Sequence, residues 1–161
     1  MTVKTGTIEE REVRIFYRYT DTTAPPILFI HGNSFSSRSF ERQFESALAE
    51  KFRLIGVDLP GHGNSSWAGS SVESQSASIV EGQATGVPGG TTPTDTTPKT
   101  CDPLQRYAPQ GLMDAVLAVA RELHAEHAIF VGWSLGGHLL LEATDRLRQA
   151  RGFMIFGTPP L

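Results

Sequence analysis

An apolar run, Ile129-Phe130-Val131, passes directly into Gly132-Trp133-Ser134-Leu135-Gly136-Gly137, and a helix-like segment over 138–149 follows. A strand that turns into a helix within so few residues limits what the chain can fold into. The bend leaves no room for side chains at its flanks, so glycines belong there. The residue at the apex is forced into a strained conformation, and its side chain is lifted clear of the sheet. Here the apex is Ser134, within a G-x-S-x-G pattern running from Gly132 to Gly136. Leu135 N–H, at the helix start, points toward the place where an oxyanion would form. Taken alone, the pattern also fits a glycine-rich helix N-terminus, so the surrounding chain has to decide.

The surrounding chain alternates strands and helices. Residues 12–20 put Val13, Ile15, Tyr17 and Tyr19 on one side and Arg14 and Arg18 on the other, the period of a half-buried strand. Residues 3–8 supply a partner for an antiparallel hairpin. Ile27-Leu28-Phe29-Ile30 is continuously apolar, as suits a strand covered on both faces of a parallel sheet. Phe40, Phe44, Ala47 and Leu48 recur at helical spacing, which predicts an amphipathic helix over 39–50 with Ser36, Ser37 and Ser39 as candidate caps. Residues 53–58 form a short strand that ends in a turn-rich run, Asp58 to Ser65.

Leu112, Val116, Val119, Ala120 and Leu123 make a stripe that predicts a helix over 109–124. A strand over 128–133, a helix over 135–148 and a strand over 152–156 complete the order β-β-β-α-β-α-β-α-β. Such alternation implies an α/β fold, a mostly parallel sheet flanked by helices.

Composition narrows the function classes. A chain of 161 residues suggests one domain, and a net charge of −3 offers no basic field for nucleic acid or an anionic membrane. The single cysteine, Cys101, excludes an internal disulfide and fits a reducing compartment. The first fourteen residues carry charge and no apolar signal core, and no apolar run approaches the ~20 residues that span a bilayer. A soluble, cytoplasmic protein is the expectation. Over 68–103, serine, threonine, glycine and proline make up more than half of the residues. Such a segment buries too little apolar area to offset its ordering entropy, so it reads as a low-complexity disordered insertion within a 1–161 domain.

Three strand ends carry residues suited to chemistry: His31-Gly32-Asn33-Ser34, Asp58-Leu59-Pro60-Gly61-His62-Gly63-Asn64-Ser65, and Ser134. Ligands in open α/β sheets bind beyond the carboxyl ends of strands, so these groups can converge on one crevice. Together and in this order, the motifs resemble the serine-nucleophile branch of the α/β-hydrolase superfamily. The resemblance implies an eight-stranded, mostly parallel sheet, of which this chain carries about strands one to six and no cap domain. It makes Ser134 the nucleophile and the backbone N–H groups of Asn33 and Leu135 the oxyanion donors. Gly132, Gly136, Gly137, His31, Gly32, Asp58, Gly61, His62 and Gly63 become parts of the elbow and its loops.

Serine in place of aspartate argues against the epoxide-hydrolase and dehalogenase branches. Esters, thioesters, lactones, amides and activated C–C bonds remain as substrates, as does perhydrolase or haloperoxidase-like chemistry. The resemblance calls for no cofactor and no metal. The expected partner is a small acyl compound, without nucleic acid or membrane insertion.

The chain departs from the family where a base is needed. The family's acid and histidine follow its seventh and eighth strands, and this chain stops after its sixth predicted strand. The triad acid and histidine therefore have no assigned residue. His31 and His62 belong to the loop motifs, and His124 and His127 read as solvated. His138 lies one turn along the helix from Ser134. Asp58 closes a strand, Glu142 and Asp145 form a solvated face, and Trp133 reads mainly as packing beside the elbow.

The abrupt stop suggests a fragment or early-terminating form of a longer hydrolase, with the low-complexity run inserted in an ancestral loop. The uncovered sixth strand is expected to self-associate through its edge. Two functions stay open. One is an esterase- or lipase-like hydrolase working through an acyl-enzyme on Ser134. The other is a catalytically inactive remnant serving as a binding or regulatory module.

Overall fold

A computed structural model describes residues 2–67 and 107–159. The expected insertion at 68–103, and Cys101 within it, lie outside these residues. β1 (Val3–Glu10) and β2 (Val13–Thr20) pair antiparallel along their full length, from Val3 opposite Thr20 to Glu10 opposite Val13. Arg11 and Glu12 at the turn both have positive φ, 49° and 63°. This left-handed pair matches the twist of the two strands.

β3 (Pro26–Ile30), β4 (Arg53–Val57), β6 (Ile129–Trp133) and β7 (Gly152–Phe156) form the parallel part of the sheet. The strand order is β1-β2-β4-β3-β6-β7. β5 (Ser66–Trp67) adds a short antiparallel pairing to β2, which the sequence did not suggest because two residues carry no periodicity. Every residue of β3 is buried, as its unbroken apolar run requires of a central strand.

Helices cover both faces. α3 (Pro109–Glu122) and α4 (Leu135–Glu142) pack on one face, around Leu28, Ile30, Val57, Val116, Phe130 and Leu140. On the other face Phe40, Phe44 and Ala49 pack against Ile27, Phe29, Leu54 and Val131. The helix expected over 39–50 is broken into a 3-10 turn, Ser37–Phe40, and two short helices, α1 (Glu41–Phe44) and α2 (Leu48–Lys51). Ser46 is the cause. Its hydroxyl donates to the Gln43 carbonyl at 2.8 Å and accepts from Leu48 N–H at 3.2 Å, bonds that compete with the helical ladder. The break turns Ala47 outward and gives its buried place to Ala49.

Ser36 is the cap, accepting from Arg38 N–H. α4 is likewise shorter than the helix expected over 135–148. It gives way to a 3-10 turn at Thr144–Arg146, where Thr144 Oγ1 reaches back to the Leu141 carbonyl.

The order of the strands fixes where a site can form. The chain leaves β3 toward β4 through α1 and α2 on one face. It leaves β6 toward β7 through α4 on the other. The carboxyl ends of β3 and β6 therefore flank the point where the winding reverses, which opens a crevice between them. In register, Ile30 pairs with Gly132, so His31-Gly32-Asn33 and Ser134 emerge side by side.

Among the described residues β7 is the outer strand beside β6, and its large side chains are all exposed: Phe153 44%, Met154 60%, Ile155 36% and Phe156 45%. No helix among the described residues is long and apolar enough to cross a membrane.

Candidate active site

Ser134 sits at φ 52°, ψ −113°, a conformation that side-chain-bearing residues rarely adopt. Its neighbours hold it there. Ser134 N–H donates to the Phe156 carbonyl at 3.1 Å. Its own carbonyl accepts from Gly137 N–H at 2.9 Å, His138 N–H at 3.2 Å and the Thr158 hydroxyl at 3.1 Å. The flanking glycines follow from close backbone contacts. A Cβ on Gly132 would lie 2.5 Å from the Gly136 carbonyl oxygen and 2.7 Å from Gly137 N. A Cβ on Gly136 would fall on the Ile30 carbonyl, and one on Gly137 would fall on the Thr158 hydroxyl. The end of β7 thus locks the elbow from outside, and β3 locks it from below.

The loop after β3 approaches the elbow just as closely. A Cβ on Gly32 would stand 3.2 Å from Ser134 Cβ. The loop turns at once, closed by Phe35 N–H on the Gly32 carbonyl at 3.3 Å with Ser34 at φ 64°. Among the described residues, no hydrogen bond engages Asn33 N–H or Leu135 N–H. Leu135 is the first residue of α4, where the helix dipole adds positive potential.

His31 braces this arrangement. It is fully buried. Its Nδ1–H donates to the Gly32 carbonyl at 2.7 Å, and its Nε2 accepts from Leu59 N–H at 3.0 Å. Both nitrogens are thereby committed, and one tautomer is fixed. Burial, the main influence, lowers the pKa below the ordinary histidine value and keeps the ring neutral. With its lone pair occupied, His31 cannot accept a proton from Ser134; it ties the β3 loop to the β4 loop.

Asp58, also buried, plays the matching part from the β4 side. One carboxylate oxygen accepts from Ser37 N–H at 2.7 Å and the other from Asn64 N–H at 2.8 Å. Ser65 donates to the Asp58 carbonyl at 2.7 Å and accepts from Phe16 N–H at 2.9 Å, which fastens the loop to β2. Gly61 and Gly63 take positive φ, 76° and 55°, and a Cβ on Gly63 would strike the Asp58 carboxylate.

The remaining titratable candidates do not reach the hydroxyl. His62 Nδ1 lies 3.0 Å from the Pro60 carbonyl, and its Nε2 lies 3.4 Å from Asn33 Oδ1, so this ring supports the Asn33 side chain. His124 and His127 are exposed, as are Glu142 and Asp145. His138 is one turn along α4, and its buried Nδ1 has no hydrogen-bond partner among the described residues. Among those residues no histidine bonds to Ser134 Oγ.

A cleft of about 740 Å³ opens beside the elbow, with Phe35, Trp133 and Phe156 in its wall. Trp133, expected mainly as packing, stacks on Phe35 with ring centroids 4.6 Å apart and planes at 56°. Phe35 was missed by sequence reasoning, although an exposed aromatic directly behind the His31-Gly32-Asn33 loop is a usable signal. Phe156 was missed because only the pairing of β7 with β6 brings it to Ser134.

Comparison with known proteins agrees with this fold. The Alpha/beta hydrolase family model matches residues 27–161, most of the chain. The chain belongs to the α/β hydrolase family. The AB hydrolase superfamily protein YisY of Bacillus subtilis (strain 168) is 28% identical over 121 residues, which cover 75% of this chain and 32% of YisY. A crystal structure of the N-acyl homoserine lactonase AidH, complexed with N-hexanoyl homoserine, is 32% identical with a TM-score of 0.74 and covers 99% of this chain and 46% of AidH. Epoxide Hydrolase A from Mycobacterium thermoresistibile shares the fold at 17% identity, with a TM-score of 0.69 over 99% of this chain and 40% of that enzyme. The chain thus spans less than half the length of each of these relatives.

Proposed function

We propose that Ser134 is the nucleophile of a serine hydrolase acting on a small acyl compound through an acyl-enzyme. In this reading Ser134 Oγ attacks the substrate carbonyl carbon. The electron pair of the C=O bond moves to oxygen, where Asn33 N–H and Leu135 N–H receive it. Collapse of the tetrahedral anion expels the leaving group, which takes up a proton, and water then releases the acyl group from Ser134.

Two fixed donors act in the transition state without reorganising, and losing one such donor costs about 3–4 kcal/mol in other enzymes. The observation that carries the reading is the strained elbow itself. Ser134 is held at φ 52° against the β3 loop, and no described residue accepts from the Asn33 or Leu135 N–H. A serine hydroxyl also needs a base. None is assigned among the described residues, and the proposal takes it from outside them.

The similarity to AidH makes an N-acyl homoserine lactone a sensible first substrate. Lactone opening is the same acyl transfer, with the leaving alkoxide kept on the product. Among the described residues no histidine bonds to Ser134 Oγ, which favours a second reading, an inactive remnant that binds without turnover.

Hydrolysis of p-nitrophenyl butyrate and of N-hexanoyl homoserine lactone, measured for the protein and for Ser134→Ala, separates the two. Turnover abolished by the substitution supports the first reading. A folded protein with no serine-dependent turnover supports the second.

A further inference from the structure

Apart from the cleft beside the elbow, a pocket of about 370 Å³ opens where β1 and β2 meet the 3-10 turn Ser37–Phe40. We propose that it binds a small organic carboxylate, held by the Arg18 guanidinium and the Ser37 hydroxyl. The site does not depend on the reading of Ser134.

Arg18 carries the argument. The alternation of β2 turns it away from the side of Ile15 and Tyr17, a position where a long cation normally keeps its head in water. Instead only 12% of its side chain is exposed. The guanidinium lies over the Phe44 ring, 4.6 Å from the centroid. The stem runs past Gly56, where a Cβ would stand 3.4 Å from Arg18 Cγ. β4 and α1 together therefore hold the planar fork in place before any ligand arrives, which lowers the cost of binding one.

What the fork lacks is an acceptor. Glu41 lies 3.6 Å from Arg18 Nη2 and 4.0 Å from Arg38 Nε, both beyond hydrogen-bond reach. Among the described residues nothing accepts a hydrogen bond from the Arg18 guanidinium. Ser37 repeats the observation. It lines the pocket, is 1% exposed, and its buried Oγ has no hydrogen-bond partner among the described residues. Its N–H is already given to Asp58, so the hydroxyl alone is open. Polar groups this deeply buried are normally paired, and two unpaired ones on the wall of one pocket point to a ligand that brings acceptors.

Charge and shape choose the class. The charged residues on the wall are Arg18, Arg38 and Glu41, a surplus of one positive charge that a single carboxylate neutralises. The planar fork matches two coplanar oxygens. Val3 and Phe16 offer the rest of the ligand an apolar wall, and the volume, low in the range for small-molecule sites, keeps that part short.

The test is a titration with sodium butanoate at constant ionic strength, with arginine isotope-labelled and its side-chain Nε–Hε resonances followed by NMR. The resonance that is missing from the Arg18→Gln spectrum should shift saturably. Ser37→Ala should weaken binding by at least about tenfold, the scale of a hydrogen bond to a charged group. It should lose no stability in thermal unfolding, because the hydroxyl it removes has no partner in the free protein. Arg14→Gln removes the same charge from an exposed position of β2 outside the pocket and should leave binding unchanged. Arg18 and Ser37 are not on the wall of the elbow cleft, so the two sites are read separately.

An Arg18 resonance that does not shift saturably, or a Ser37→Ala variant that binds butanoate as well as the parent, overturns the proposal. Inorganic phosphate is titrated in the same way as the competing oxyanion. Weaker binding of phosphate than of butanoate upholds the carboxylate class, and tighter binding overturns it.

Discussion

Gly132→Ala adds one methyl group at the tightest point of the elbow. Its Cβ would lie 2.5 Å from the Gly136 carbonyl oxygen, 2.6 Å from that carbonyl's carbon and 2.7 Å from Gly137 N. All three are backbone atoms of the first turn of α4, so no side chain can swing aside. Restoring ordinary contact at about 3.4 Å requires the turn to move by roughly 0.9 Å. Overpacking of this kind costs about 1–3 kcal/mol, occasionally more, and alanine returns only about 0.5–1 kcal/mol as the better strand residue. The net loss should be about 1–2 kcal/mol, a fall in Tm of about 2–8 °C.

Gly152→Ala is the internal control. It is the same change in the neighbouring strand, and nothing lies within 4 Å of the new Cβ. It should leave stability unchanged or raise it by up to about 1 kcal/mol. Urea and thermal unfolding of the two variants side by side are the assay. The displaced turn also carries Leu135 N–H, so any Ser134-dependent rate should fall by about a hundredfold in Gly132→Ala. Equal stability of the two variants would refute the close-contact account of the elbow.

Three further outcomes follow from other parts of the fold. The lowered pKa of His31 means that the unfolded chain gains a proton first as pH falls below about 6.5, so this contribution to stability is whole above that value and is lost through the folded pKa. His31→Gln should therefore be less stable than the parent at pH 7.5, and the gap should narrow by pH 5 in urea titrations; a gap constant with pH would contradict the buried neutral ring. Asp114 joins Arg11 at 2.6 Å and also pairs with Arg146, which links the β1–β2 turn to the segment after α4. Asp114→Asn should cost about 1–2 kcal/mol, less at 1 M salt, as measured by thermal unfolding. The apolar edge formed by β7 should promote association, so sedimentation velocity should show concentration-dependent self-association that Met154→Lys, at the most exposed position, suppresses. A monodisperse parent protein would rule this out.

Much of the fold was legible because its signals are long or repeated. The alternation through Val13, Ile15 and Tyr17 and the unbroken run of β3 each have a single physical solution, and both strands formed as expected. The glycines around Ser134 were legible for the same reason, since only a tight strand-to-helix turn calls for them together. What escaped notice was decided by a single side chain or by tertiary pairing. One serine, Ser46, breaks the helix expected over 39–50 by offering the backbone competing hydrogen bonds. The two-residue β5 exists only because β2 is there to receive it.

The candidate site shows the same division. His31, Asp58 and Ser134 stand out by motif. The paired use of both His31 nitrogens, and the carbonyl of Phe156 holding Ser134, depend on contacts between segments far apart in the chain. No local pattern reports such contacts.

The central claim is that the elbow presents Ser134 as an acyl-transfer nucleophile beside ready oxyanion donors. Intact-mass analysis and peptide mapping of the 161-residue chain after treatment with an alkyl fluorophosphonate test it most directly. The account predicts one adduct per chain, on Ser134 alone, and none in Ser134→Ala. An unmodified Ser134 in the folded protein, or an adduct that persists in Ser134→Ala, would contradict it.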